Sequence, residues 1–401
     1  MVNKNEANHK RYVLSLAALT FTFAFAMQQI CMPVLFKEIS EDLGLNLVEI
    51  GIVWGMTFLA NLFTVFIGGL LADRYGAKRT LGIACFLAGL AGASRGLSWD
   101  FASLMATAFS LGFVSAIIPS GVMKTTATWF SGRQLVLANG VVTTGMGVGF
   151  TLGALISATI LSPLLGGWRN VLFLYGAMSM VVGLLWLLTV READWVGSAR
   201  SESRVPVRQA VSHVFPIKAV WLLGLTVLGY SGCIQGMIGY LPLHLRESGW
   251  TVASADGTLA AFNGFSSLGA IPLALLSDRV GLRKAVALPV LLITVVGVAL
   301  LSVVDNAMVW VLVIMVGVAR DGSMGLYMTM GTETEGIGMA YSGTALGLVL
   351  TISNLGSFIS PPLGNSLADT NSGLPFVLWA AFGLVALLSL CFVKETGWRK
   401  A

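Results

Sequence analysis

The chain has 401 residues, of which 56% are hydrophobic and 11% charged, and its formal net charge is +5. A soluble domain carries about 25% charged residues, so this much apolar surface cannot be hidden inside a water-soluble fold and the solvent is lipid. The basic balance then reports which loops face which side of a membrane, not a nucleic-acid partner.

Lys4, Lys10 and Arg11 precede the first apolar run, 12–36, which is too long for the core of a cleaved signal. A spanning helix needs about 20 mostly apolar residues. Further spans are predicted at 50–71, 80–96, 102–123, 135–161 and 169–190, then at 218–242, 253–276, 285–303, 307–330, 338–360 and 374–393. The expected fold is an all-α membrane protein of twelve transmembrane helices. Gln28 and Gln29 lie outward of the middle of the first span, and Asn61 lies in the second. Ser110 and Ser115 in the fourth can hydrogen-bond their own backbone and are weak candidates. The fifth opens with Trp129-Phe130-Ser131-Gly132-Arg133 and continues through Gly140, Gly145, Gly147, Gly149 and Gly153. Glycine at this density lets helices approach closely, and Gly140, Gly145 and Gly149 are assigned to helix packing.

Residues 191–216, with Arg200, Arg204 and Arg208, form the longest polar stretch and read as a linker between halves 1–190 and 217–401. An amphipathic surface helix fits within it; an enzymatic motif does not. Beyond it, Gln235 in the seventh span matches Gln28 and Gln29 at a separation of 206 to 207, and Asn263 in the eighth matches Asn61 at 202. Cys31, Cys85, Cys233 and Cys391 fall inside apolar runs without ligand spacing and read as small core residues. His9, His213 and His244 sit in the leading tail, the linker and a span end. No metal site and no cofactor is expected, and no phosphate-binding loop supports a primary pump.

Nineteen Lys and Arg fall on one side of the twelve-span arrangement and four, Lys37, Arg95, Arg169 and Arg246, on the other. The richer side is cytoplasmic by the positive-inside rule, which places both termini inside a cell membrane or bacterial inner membrane.

One stretch organises all of this. Gly69-Leu70-Leu71-Ala72-Asp73-Arg74-Tyr75-Gly76-Ala77-Lys78-Arg79 is a charged turn between two apolar runs, and Ala274-Leu275-Leu276-Ser277-Asp278-Arg279-Val280-Gly281-Leu282-Arg283-Lys284 repeats it 205 positions later. Half-chain spacing marks an internal duplication. The turn resembles the signature between helices two and three of the major facilitator superfamily, with Ala77, Ala274 and Leu282 as departures. That resemblance implies two pseudo-symmetric six-helix bundles and a secondary transporter working by alternating access. It implies a conformational role for Gly69, Asp73, Arg74, Gly76 and Lys78, and for Asp278, Arg279 and Gly281. Asp73 in particular faces a helix end of the other half in the family and helps close the cytoplasmic side. Helices one and seven line the family's cavity, which makes Gln28, Gln29 and Gln235 substrate candidates; interhelical hydrogen bonding is the equal alternative. For Asn61 and Asn263, packing is favoured.

Trp129-Phe130, Arg133, Ala138, Gly140 and Gly145 are similar to the helix-five entry of monocarboxylate and oxalate–formate-type porters. Those porters place Asp and Arg inside helix eight, whereas Asp256 here stands at its outer start. Drug/proton antiporters carry Gly-Pro-x-x-Gly-Gly in helix five and an arginine four residues before a glycine in helix four. Here the first reads Gly145-Met146-Gly147-Val148-Gly149-Phe150 and the second is Ala108 before Gly112.

Arg320 and Asp321 are the only ionised pair expected in the middle of a span. Each costs about 2.5–3.5 kcal/mol at that depth on insertion scales, and neighbours on a helix point roughly 100° apart. Arg320 is assigned to a substrate carboxylate or similar anion, and Asp321 to a coupling proton. The expectation is a monomeric transporter of a small organic anion such as a monocarboxylate. Efflux of drugs or metabolites, and a transporter-like receptor or scaffold, are the alternatives.

Overall fold

The computed structural model describes residues 4–190 and 207–399. Within these, the surroundings of Gly69 and Asp73 lie outside the described set. Every described element is a helix, and twelve are long and apolar enough to cross a membrane. They are α1 (Asn8–Leu43), α2 (Leu47–Tyr75), α3 (Ala77–Ser94), α4 (Phe101–Trp129), α5 (Gln134–Leu165) and α6 (Trp168–Thr189). After the linker come α7 (Lys218–Glu247), α8 (Val252–Val280), α9 (Arg283–Leu300), α10 (Ala307–Glu333), α11 (Gly338–Asn365) and α12 (Leu374–Phe392). Large apolar side chains point outward, among them Phe63, Leu188, Leu268 and Ile271. That is the surface lipid requires and water penalises. The chain is an integral multi-pass membrane protein.

Several helices overrun their apolar cores, because a helix continues into the interfacial layer until a residue stops it. Gly44 (φ 65°) ends α1 and Gly281 (φ 74°) ends α8, both in the left-handed conformation that a side chain disfavours. Asp100 starts α4 with a reciprocal cap, accepting the Ser103 N–H at 2.9 Å while Ser103 Oγ accepts the Asp100 N–H at 3.2 Å. Within α4 a turn at Ala116 interrupts the helix ahead of Pro119. Proline removes a backbone donor and crowds the carbonyl four residues back, here that of Ser115. π-Helical turns occupy Thr20–Ala26 in α1 and Ser157–Leu161 in α5.

The chain forms two compact units. One holds residues 1–45 and 63–202, the other residues 46–62 and 203–401. The first part of α2 thus clusters with the second unit, for reasons visible in its packing. A Cβ on Gly51 would meet Pro362 Cα at 2.7 Å and one on Gly55 the Phe358 carbonyl oxygen at 2.7 Å. Trp54 Nε1 donates to Gln235 O at 2.9 Å, and Asn365 Nδ2 donates to Leu47 O at 2.7 Å.

Helix pairing repeats between the units. In the first, α1 packs on α5 and α3 on α6; in the second, α7 packs on α11 and α9 on α12. Small residues make these contacts. Gly89 and Gly176 face each other's carbonyl oxygens across α3 and α6, and Gly82 and Gly183 do so two turns away. Ser179 Oγ adds a hydrogen bond to Cys85 O at 2.7 Å.

Of the linker, residues 191–206 lie outside the described residues. The remainder holds a short helix, Val207–Val214, which buries Ala210 and Val214 and stacks His213 on Tyr341 at 4.1 Å. Cys31, Cys85 and Cys233 are buried; Cys391 is exposed.

Candidate functional site

The middle of α10 carries the charge pair. Arg320 and Asp321 are both partly buried, with side-chain exposures of 17% and 34%. Arg320 Nη1 donates to Asn263 Oδ1 of α8 at 2.8 Å. Asn263 is itself oriented, because its Nδ2 donates to Leu259 O at 2.8 Å and leaves the carbonyl facing the guanidinium. The neighbouring Phe262 ring lies 5.4 Å from the guanidinium carbon, within cation–π range. α8 reaches α10 this closely because Gly317 sits against Phe262 O and Gly269 against Val318 O.

From α7, Tyr230 donates its hydroxyl to the Arg320 carbonyl oxygen at 2.7 Å and meets Tyr327 edge-on at 5.3 Å. Ser266, Ser323 and Tyr327 bring further buried hydroxyls to the same region. Arg320 Nε and Asp321 Oδ1 are 3.8 Å apart. That is an ion pair without a hydrogen bond, as expected of adjacent residues on one helix. The result is a guanidinium held by an amide and a ring, with a loosely associated carboxylate beside it, inside a transmembrane span.

The amides fare differently. Gln28 is fully buried between α1 and α3, so close to Gly92 that an added Cβ would overlap its Oε1. Neither of its amide atoms has a hydrogen-bond partner among the described residues. Arg95, at the end of the predicted span 80–96 and counted with the outer-side charges, folds back beside this contact, 2% exposed, with Nε donating to Gly92 O at 3.3 Å. Gln29 is half-buried. Gln235 is half-buried on α7, five residues on from Tyr230, and its backbone oxygen accepts from Trp54. Asn263 is the residue that sequence reasoning assigned to packing and the structure places against Arg320. Its signal was a polar side chain at the depth of the charge pair.

Arg246, expected in the loop after the seventh span, is buried with Asp256, its Nη2 donating to both carboxylate oxygens at 2.6 and 2.7 Å. Arg169 pairs with Asp42 and lies over the Trp168 ring. In the fifth helix, Gly145 and Gly149 face the α1 backbone at Ala18 and Thr22, and Thr22 Oγ1 donates to Gly145 O at 2.7 Å. Around Gly140 no atom lies within 4 Å of an added Cβ. At the first charged turn Gly76 has φ 83°, Arg74 is exposed over Tyr75, and Lys78 is half-buried. At the second, Arg279 is exposed, and Asp278 accepts from Arg283 Nη1 at 2.5 Å while Arg283 Nη2 donates to Glu333 at 3.2 Å. No group of three potential metal ligands occurs among the described residues.

Twelve spanning helices thus fall in two units of matching pairing, with a charged turn repeated between the halves of the sequence. Residues 16–342 match the Major Facilitator Superfamily model, and the chain belongs to that family. It is 25% identical over 419 residues to the "Probable nitrate/nitrite antiporter" of Thermus thermophilus, covering 96% of this chain and 91% of the relative. It is 26% identical over 243 residues to the 3-(3-hydroxy-phenyl)propionate transporter of Escherichia coli (strain K12), covering 60% and 59%. With the 4-hydroxybenzoate transporter PcaK of Pseudomonas aeruginosa it shares 24% over 217 residues, covering 54% and 48%. The chain therefore spans about half to three-fifths of the length of these two aromatic-acid transporters. Among solved structures it is similar to a bacterial homolog of the human lysosomal transporter Spinster, inward-facing and occupied. The TM-score is 0.80 at 16% identity, covering 96% and 97%. The nucleoside transporter NupG gives a TM-score of 0.78 at 15% identity, covering 95% and 99%. The protein is a transporter and not an enzyme.

Proposed function

We propose that this transporter carries a small organic anion, such as a monocarboxylate, by alternating access, with Arg320 taking the anionic group and Asp321 a coupling proton. The observation that carries this reading is Arg320 itself. A guanidinium inside a span is expensive and marks function by default. Here it is aimed by Asn263 and Phe262, while the adjacent Asp321 carboxylate stands beyond hydrogen-bond distance. A planar fork fits a carboxylate with two parallel hydrogen bonds. Relatives named for nitrate and for two aromatic acids make anions the favoured class. The loose pairing and partial exposure of Asp321 support its assignment to the coupling proton. The surplus of Lys and Arg on one side supports cytoplasmic termini and insertion in a cell or bacterial inner membrane.

The test is uptake into proteoliposomes of nitrate, 4-hydroxybenzoate and 3-(3-hydroxyphenyl)propionate under an imposed pH gradient. Arg320→Lys keeps the charge and loses the fork, so KM for the transported anion is expected to rise about tenfold or more. Asp321→Asn is expected to leave exchange intact and abolish its response to the gradient. Wild-type behaviour in both variants would reduce the pair to a structural one and remove the anion reading.

A further inference from the structure

Beyond α12 the chain turns back along the loop that joins α8 to α9. The first turn of α9 has open backbone N–H groups, and Leu282 at its cap position supplies no side chain to meet them. Glu395 does so from the following segment. Its Oε1 accepts the Lys284 N–H at 2.8 Å and its Oε2 the Ala285 N–H at 3.1 Å. The carboxylate thereby also faces the positive end of the helix dipole. The backbone joins in, with Arg283 N–H donating to Thr396 O and Arg399 N–H to Gly281 O, each at 3.1 Å. Trp398 Nε1 donates to Asp278 O at 3.2 Å, and Lys284 Nζ donates to Cys391 O and Val393 O at 2.6 and 2.8 Å. Trp398 also lies so close to Gly281 that an added Cβ would meet its ring at 2.7 Å. Arg283 is thus gripped by its main chain. Its side chain extends to Asp278, to Ser277 Oγ at 3.1 Å and to Glu333 at the end of α10.

We propose that residues 393–399 form a clasp on the second charged turn, with Glu395 the positioning residue that sets Arg283 and, through it, couples this turn to the end of α10. The segment itself touches the turn and the start of α9; the guanidinium carries the constraint onward to Glu333. A clasp of this kind makes the repeated turn a held element whose release frees two helix ends together. It acts whichever solute is carried, so its test uses none.

Hydrogen exchange of the full chain, purified in detergent, reads it by mass spectrometry. In Glu395→Gln, exchange is expected to speed up about tenfold at 282–286 and also at 330–334. In the Arg283→Gln background the same substitution is expected to add nothing at 330–334, since the route runs through that guanidinium. A change confined to 282–286, or full additivity of the two substitutions at 330–334, would show a local helix cap and overturn the proposal. Should Glu395→Gln fail to fold, Trp398→Ala is judged at the same two places by the same criterion.

Discussion

Asn263 decides whether Arg320 is a positioned group or a stray charge. Its carbonyl is fixed by the bond of its own amide to Leu259 O, so the guanidinium meets a preset acceptor. Hydrogen bonds to charged groups contribute about 1.5–3 kcal/mol. Asn263→Leu is therefore expected to weaken anion uptake about tenfold or more and, by taking this acceptor from the guanidinium, to lower the melting temperature in detergent modestly while expression is kept. Unchanged KM would remove Asn263 from the site. Gln28 gives the opposite expectation. It is fully buried, with no partner for either amide atom among the described residues, and replacing such a group by an apolar one of similar size is near neutral or stabilising. Gln28→Leu should keep transport and hold or raise the melting temperature; loss of transport would return Gln28 to the substrate site. These two residues mark how far the sequence could be read. The apolar run around each fixed its depth in the membrane, and the 3.6-residue period could not say which neighbour it faces. Gln28 turned out to face Gly92, and Asn263 to face Arg320, because small residues on facing helices set those approaches.

At the scale of helices, the twelve spans were legible because apolar length is a strong signal in a membrane chain. Their ends were less so. The break at Ala116 and the two π-helical turns depend on Pro119 and on local backbone bonding that composition does not report. Arg95, at the end of the third predicted span, and Arg246, just beyond the seventh, were counted only as charges of the outer side. Each is buried, one on a backbone carbonyl of its own helix and one on Asp256, which only the tertiary arrangement reveals. The α3–α6 contact carries a direct prediction. A Cβ on Gly89 would approach Gly176 O to 2.5 Å and the Met180 backbone nitrogen to 2.8 Å, and overpacking costs about 1–3 kcal/mol. Gly89→Val should lower the melting temperature, and Gly89→Ala should lower it less; a stability equal to wild type in both would show that the helices part freely. At the first charged turn, Asp73→Asn is expected to impair transport with normal expression and to raise the labelling of cytoplasm-facing cysteines. Full activity would argue against its part in closing that side.

For the molecule as a whole, duplication is the feature that both sequence and structure carry. The charged turn recurs at half-chain spacing, and the helix pairs α1–α5 and α3–α6 recur as α7–α11 and α9–α12. Arg320 has no charged counterpart in the first half: subtracting the repeat spacing of 205 lands beside Val114, on Ser115 and Ala116, all uncharged. The duplication alone therefore does not supply the charge pair. The missing helix-five proline and helix-four arginine bear on class at this scale too. Overexpression is expected to give no resistance to lipophilic cationic drugs. Broad resistance that collapses with the proton gradient would reverse that expectation.

The pairing of α3 with α6 and of α9 with α12 also dictates an order of birth. Each first partner leaves the ribosome about 90 residues before its mate is complete, on the order of ten seconds at ordinary synthesis rates. During that interval the face of α3 lined by Gly82 and Gly89 waits for α6. Such a face exposes no side-chain polar group and leaves the helix's own hydrogen bonds closed, so it can wait in the bilayer without penalty. A carboxylate or amide ladder in its place would seek partners while the chain is unfinished. Small residues thus serve the nascent chain as well as the finished one: they let a helix stand alone until its partner arrives, and then close on it.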